Sequence, residues 1–304
     1  MAVRHRIRSA AAVVAALALA LSAGGVADAE PLPVPTNFFD GVVQENLHPG
    51  GSLPGSNDFD CVPSPEHPNP VILLHDLGAT RQSNWAVYVP ALKNEGYCVF
   101  ALTYGVDPAL TMPGGVQMGG FTTMEPAAEE LAGFVDRVRA ETGAQQVDLV
   151  GHGSGGMVAA YYTAVLGGAE HVGTQVTLSP VLGGIDAELP VAVEPEDVIF
   201  PPWLQYLRGS DFMTALHAAG PYAPGVRYVN ISTRYMQDYL GHPPEGEDVT
   251  NIVVQDGCET DYSEQDALGA SPRALALTKN ALDPAHPQPV PCGTILPGTG
   301  TMLD

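Results

Sequence analysis

Residues 147–168 read VDLVGHGSGGMVAAYYTAVLGG: an apolar run, a glycine cluster, then small residues suited to a helix. A strand that enters a tight glycine turn and leaves as a helix is a unit of α/β architecture, and ligands and chemistry collect at such turns. Two chemistries use this turn. Gly151, Gly153 and Gly156 satisfy G-x-G-x-x-G, the loop that cradles a dinucleotide pyrophosphate. The same residues stand one substitution from G-x-S-x-G, the nucleophile elbow of ester hydrolases, with Gly153 in the serine's place.

The surrounding chain weighs against the nucleotide loop. PVILLH (70–75), YCVFALTYG (97–105), QQVDLV (145–150), VGTQVTLSPV (172–181), GVRYVNISTRY (225–235) and VTNIVVQDG (249–257) read as strands. NWAVYVPALKNEG reads as a helix, and MEPAAEELAGFVDRVRAETG (124–143) as an amphipathic one. In the latter, Leu131, Phe134, Val135 and Val138 share a face, with proline in the first turn and glycine past the end. SPRALALTKNALDP (271–284) closes the chain as a helix. Near-continuously apolar strands alternating with helices imply a mostly parallel central sheet with helices on both faces. A dinucleotide loop follows the first strand of its domain, with an acidic residue about 20 positions on, closing the second. Here two strong strands precede the loop, and Glu170 comes before the next strand, which ends at Ser179 and Pro180.

The chain opens with the basic MAVRHRIR, an apolar run of about fifteen residues, and a small-residue cleavage site at Ala27-Asp28-Ala29. That is the pattern of a secretory signal peptide, and the run is short of the roughly 20 residues of a membrane-spanning helix. The expected organisation is a signal peptide (1–29), a Pro- and Gly-rich irregular lead-in (30–69) and one compact domain (70–304), soluble and without a stable membrane span. The formal net charge is −22, and cleavage, which removes three arginines and one aspartate, makes it more negative. Such a charge argues against nucleic acid and anionic membranes as partners. Cys61, Cys98, Cys258 and Cys292 make an even count, which in an exported chain suggests two disulfides with three possible connectivities. Cys61–Cys98 and Cys258–Cys292 are favoured because each pair flanks one compact segment. No C-x-x-C spacing supports zinc, so no metal and no cofactor is expected.

Four stretches carry a family resemblance: NPVILLHDLGATRQSNWAVYVPALKNEGYCVFALTYG, AAEELAGFVDRVRAETGAQQVDLVGHGSGGMVAAYY, PGVRYVNISTRY, and VTNIVVQDGCETDYSEQDALGASPRALALTKNALDPAHPQPVPC. Over residues 60–292 the chain resembles the secreted bacterial triacylglycerol lipases and esterases of the α/β-hydrolase fold, the class 2 lipases common in actinomycetes. The resemblance implies a serine that attacks the ester, a histidine that takes its proton, an aspartate that orients the histidine, and two backbone N–H groups for the oxyanion. Each triad position departs from that scheme. Where the family reads like GHSQGG, Gly153 holds the nucleophile's place; TRYD is here TRYM, with Met236 at the acid; SEH is here SEQ, with Gln265 at the base. The oxyanion donors implied are the N–H groups of Leu77 and Ser154. Asp76 stands where the family has glycine, either as a carboxylate opposing an oxyanion or as a solvent-facing cap of the next segment.

These substitutions imply a pseudoenzyme: glycine has no side chain, methionine does not ionise, and glutamine does not shuttle protons at neutral pH. The expected function is a catalytically impaired lipase-family protein that keeps a cleft for a lipid or acyl-ester ligand. An active esterase using Ser154 as a shifted nucleophile is the first alternative, with His75, His152 or His242 as base and Asp238 as a possible acid. A scaffold or partner-binding protein is the second, with the acidic, Pro-rich residues 186–202 as a contact region and residues 185–203 as a partial cap over the cleft. Nothing in the sequence bears on oligomeric state.

Overall fold

The computed structural model describes residues 30–186 and 201–303, apart from the side chains of 238–240. The expected signal peptide and the centre of the acidic, Pro-rich loop (187–200) lie outside the described residues. Residues from Leu32 onward form one contact unit.

Six strands build a parallel sheet: β1 (Val71–Leu74), β2 (Val99–Leu102), β3 (Val147–His152), β4 (Val172–Leu178), β5 (Arg227–Ser232) and β6 (Val249–Val253), in the order β2-β1-β3-β4-β5-β6. Each of the first four matches an apolar run of the sequence, because a strand covered on both faces has no polar side to show. Alternate side chains of β1 serve two cores. Ile72 and Leu74 join Phe100 and Leu149 on one face, and Val71 and Leu73 join Val99 and Val150 on the other.

The first face is covered by α3 (Met124–Thr142) and α4 (Ser154–Ala164), and the second by α2 (Tyr88–Asn94) and α8 (Pro272–Leu282). Leu131, Val135 and Val138 of α3 are buried as the periodicity implies, while Phe134 is only partly buried and meets Phe59 edge-on. Gly143, with φ 73°, ends α3 in the left-handed conformation that glycine adopts at little cost. Ser271 caps α8 by accepting from Ala274 N, with proline at the first helical position. Both disulfides have the favoured pairing, Cys61–Cys98 and Cys258–Cys292.

Three expectations need correction. The lead-in carries a helix, α1 (Phe39–Leu47), which lacks a side-chain N-cap to announce it. The stretch expected as a strand through residue 235 turns at Thr233 into α7 (Arg234–Leu240), because the Thr233 hydroxyl accepts from Tyr235 N as a helix cap. Beyond α8 the chain forms a small antiparallel pair, β7 (Thr294–Ile295) with β8 (Met302–Leu303). Two short helices, α5 (Pro201–Gln205) and α6 (Asp211–Ala219), precede β5.

Candidate active site

The glycine cluster is a sharp elbow between β3 and α4. Gly153 has φ 48° and ψ −114°, a conformation in which an L side chain is strained. Glycines flank it because the first turn of α4 lies against the sheet. A Cβ on Gly155 would strike the carbonyl of Leu74, and one on Gly156 the Thr177 side chain. Close packing therefore accounts for the G-x-G-x-x-G match.

Asp76, just past the end of β1, fills the space in front of this elbow. Its Oδ1 accepts from Leu77 N at 2.7 Å and from Ser154 N at 2.9 Å, the two donors implied for an oxyanion. Its Oδ2 accepts from Gln265 Nε2 at 2.6 Å. Its own N–H donates to Asn84 Oδ1 at 2.9 Å. Asp76 is only 7% exposed, so this carboxylate is an internal anion held at the N-terminus of α4, where backbone N–H groups and the helix dipole favour negative charge. Of the two expectations for Asp76, the solvent-facing cap is set aside. A pyrophosphate at this turn would meet the carboxylate head-on, so the nucleotide reading fails here too.

Gln265 bridges two neighbours. Its amide holds Asp76, and its carbonyl lies 2.9 Å from His152 Nε2. His152 Nδ1 is 3.2 Å from Asn84 Oδ1, so both ring nitrogens face oxygen acceptors. Met236 joins neither group by a hydrogen bond of its side chain. It sits in the first turn of α7 and packs against the core beneath α3 and α4. The segments bearing Met236 and Gln265 are nevertheless tied together, because the Thr233 hydroxyl donates to Ser263 O. The structure thus assembles Gly153, Gln265 and the N–H groups of Leu77 and Ser154 around Asp76, with Met236 set apart.

Ser154 is fully buried, and its hydroxyl shares a 2.8 Å hydrogen bond with Tyr104 Oη, which donates to His75 O at 2.7 Å. Two of the three histidines considered as its base are otherwise engaged. His75 Nδ1 donates to Asp76 O at 2.7 Å, Nε2 accepts from Tyr104 N at 3.3 Å, and the ring stacks on Tyr104. Burial lowers the His75 pKa to about 4, so the ring is neutral at physiological pH. His152 is held as described above, and His242 is exposed to solvent. The Asp238 side chain lies outside the described residues.

A cavity of about 670 Å³ opens beside Asp76. Phe38, Phe39, Val42, Met112, Val116 and Met118 supply apolar wall, while Asp76, His152 and Asp266 stand at its polar end. Sequence reasoning missed Asn84 and Tyr104, which hold Asp76 and Ser154 and lie in no motif. It missed α1, which supplies one cavity wall, for want of a cap. Among the described residues no group of three or more His, Cys, Asp and Glu could hold a metal ion, and no helix is long and apolar enough to cross a membrane.

The profile of the alpha/beta hydrolase family matches residues 71–301. No curated protein sequence matches the chain. Among solved structures, Aspergillus fumigatus lipase B superposes with a TM-score of 0.52 at 15% identity, over 79% of this chain and 57% of that one. The chain therefore spans little more than half of that lipase. Bacillus licheniformis lipase BlEst2 in its mature form gives a TM-score of 0.47 at 16% identity, over 68% of this chain and 90% of the other. At 15% identity the likeness to lipase B is one of fold.

Proposed function

Since the chain belongs to the alpha/beta hydrolase family, we propose that it is a secreted, lipase-like member of the actinomycete class 2 type that has lost ester hydrolysis and kept an apolar ligand cavity. One observation carries this reading: the Asp76 carboxylate accepts both Leu77 N and Ser154 N, the donors a tetrahedral intermediate would need.

Ester hydrolysis on this fold needs an attacking oxygen at the elbow, a base to take its proton and a vacant pair of N–H donors. Position 153 has no side chain and position 265 has no basic nitrogen. In hydrolases whose triad is removed, the oxyanion hole and binding alone retain roughly 10³–10⁴-fold acceleration over water. Here even that residue of catalysis is opposed, because the hole already holds an anion and a second would face like-charge repulsion. Use of Ser154 instead finds little support, since its hydroxyl is buried against Tyr104.

Retention of a ligand is supported by the cavity, whose volume lies within the ~300–1,000 Å³ of small-molecule sites. Phe39, Val43 and Leu47, four residues apart on α1, are also exposed, and Phe39 lines the cavity. Export is supported by the N-terminal pattern and the two disulfides.

The test is an assay of purified protein on short- and medium-chain nitrophenyl esters beside Ser154→Ala. The expected result is no turnover above background for either. Turnover that disappears in Ser154→Ala would overturn the loss of hydrolysis and establish the shifted nucleophile.

A further inference from the structure

The apolar-ligand reading leaves the head group of the ligand open, and the polar end of the cavity bears on it. An acid or ester head needs hydrogen-bond donors for its oxygens. The two best-placed donors, Leu77 N and Ser154 N, are both taken by Asp76 Oδ1. No lysine or arginine lines the cavity among the described residues. Among the lining residues Asn84 Nδ2 is a buried donor without a hydrogen-bond partner, but it is neutral, whereas the open acceptor is a carboxylate. Among the described residues Asp76 Oδ2 has Gln265 Nε2 as its one hydrogen-bond partner, which leaves a lone pair open.

Among the lining residues the carboxylates Glu45, Asp76 and Asp266 outnumber the one basic side chain, His152. Asp266 stands exposed at the rim, and Glu45 is buried in the wall, satisfied by Gly50 N, Thr80 Oγ1 and Gln82 Nε2. Desolvation, then the nearby charge of Glu264 and, against the opposing effect of His152, that of Asp76, push the Asp266 pKa above its ordinary value. A fatty-acid carboxylate would add a further negative charge here. A protonated amine would supply three donors and the opposite charge.

Resting on the apolar-ligand reading, we propose that the cavity binds a long-chain primary alkylammonium, with the nitrogen donating to Asp76 Oδ2, paired with Asp266, and the chain along Phe38, Phe39 and Met118. Asp76 thus takes a second role: the residue that closes the oxyanion hole to anions presents a carboxylate oxygen to a cation. The ligand class is amphiphilic amines, and carboxylate-headed chains of equal length are refused.

Titration calorimetry on the full chain, in about 0.15 M salt to screen the general negative field, with dodecylamine, dodecanol and dodecanoate tests this. Dodecylamine is expected to bind at one site roughly tenfold or more tighter than dodecanoate, and tighter than dodecanol. Asp76→Asn should erase the preference for the amine. Asp266→Asn, at an exposed position that does not threaten folding, should weaken the amine several-fold and dodecanol far less. Dodecanoate binding as tightly as the amine, dodecanol matching it, or a preference unchanged in both variants would each overturn the amine assignment while leaving the apolar cavity standing. If none of the three chains binds, the ligand-binding reading falls with it.

Discussion

The carboxylate of Asp76 occupies the volume that any side chain at Gly153 would need. A Cβ built on Gly153 falls inside that carboxylate, overlapping Cγ and both oxygens. The two positions lie 77 residues apart in sequence, on the turns that follow β1 and β3, and strand pairing brings those turns side by side. The missing side chain at one and the carboxylate at the other are complementary in volume. The hydrogen bonds from Leu77 N, Ser154 N and Gln265 Nε2 hold that carboxylate in place.

Coupling between these residues is measurable. Gly153→Ser alone should destabilise the fold by about 3 kcal/mol or more, because the new side chain displaces a hydrogen-bonded carboxylate and sits at positive φ. In an Asp76→Gly background the steric part of that cost disappears. Urea denaturation of the two single variants and the double variant should give a coupling of at least about 1 kcal/mol. Additive effects would mean that Asp76 swings aside freely.

Ser154→Ala addresses stability rather than turnover. The Ser154 hydroxyl is buried against Tyr104 Oη, which keeps a second partner in His75 O. Losing one buried hydrogen bond of this kind should cost about 1 kcal/mol in a denaturant midpoint. A loss above about 3 kcal/mol would point to collapse of the Tyr104–His75 stack as well.

Asp148 predicts an acid-side stability difference. It is buried on β3, accepts from Thr174 N and Asn69 Nδ2, and burial raises its pKa to about 6. The folded value lies above the unfolded one of 3.8, so its favourable contribution is complete below about pH 4 and is lost as pH rises through about 6. Asp148→Asn keeps the acceptor and removes the charge. It should therefore gain up to roughly 3 kcal/mol over the parent near pH 7 and match it near pH 4. His75, whose pKa is lowered, acts in the opposite direction over this range but cancels in the comparison. An equal gain at both pH values would remove the buried charge as the cause.

How far the sequence speaks for the structure depends on the kind of signal. The apolar runs of β1 to β4 and the amphipathic stripe of α3 were legible, because burial on two faces or on one stripe leaves a periodic trace in the residues themselves. The disulfides followed from each cysteine pair flanking a compact segment. α1 left no such trace: FDGVVQENL begins without a side-chain cap and keeps Phe39, Val43 and Leu47 exposed. The relation of Asp76 to Gly153 was half legible. Each departure stands out against the hydrolase pattern, but their contact exists only once β1 and β3 are paired. Asn84 belongs to no motif, and its role appears only through the atoms it touches.

The strongest prediction concerns reactivation. Gly153→Ser, Met236→Asp and Gln265→His together supply a hydroxyl, an acid and an imidazole at the positions that the lipase resemblance implies for the triad. With Asp76 retained, that triple variant should remain inactive on nitrophenyl esters, because a serine at position 153 and the carboxylate compete for one space and both N–H donors stay occupied. Adding Asp76→Gly vacates the space and the donors together. The quadruple variant should then show turnover, and a fluorophosphonate should label its position 153. Removing one oxyanion donor from a working hydrolase costs about 10²–10³-fold, so releasing two should separate the triple from the quadruple variant by at least that much. Equal rates in folded triple and quadruple variants would show that Asp76 is no obstacle to hydrolysis, and the account of this site as an occupied oxyanion hole would be abandoned.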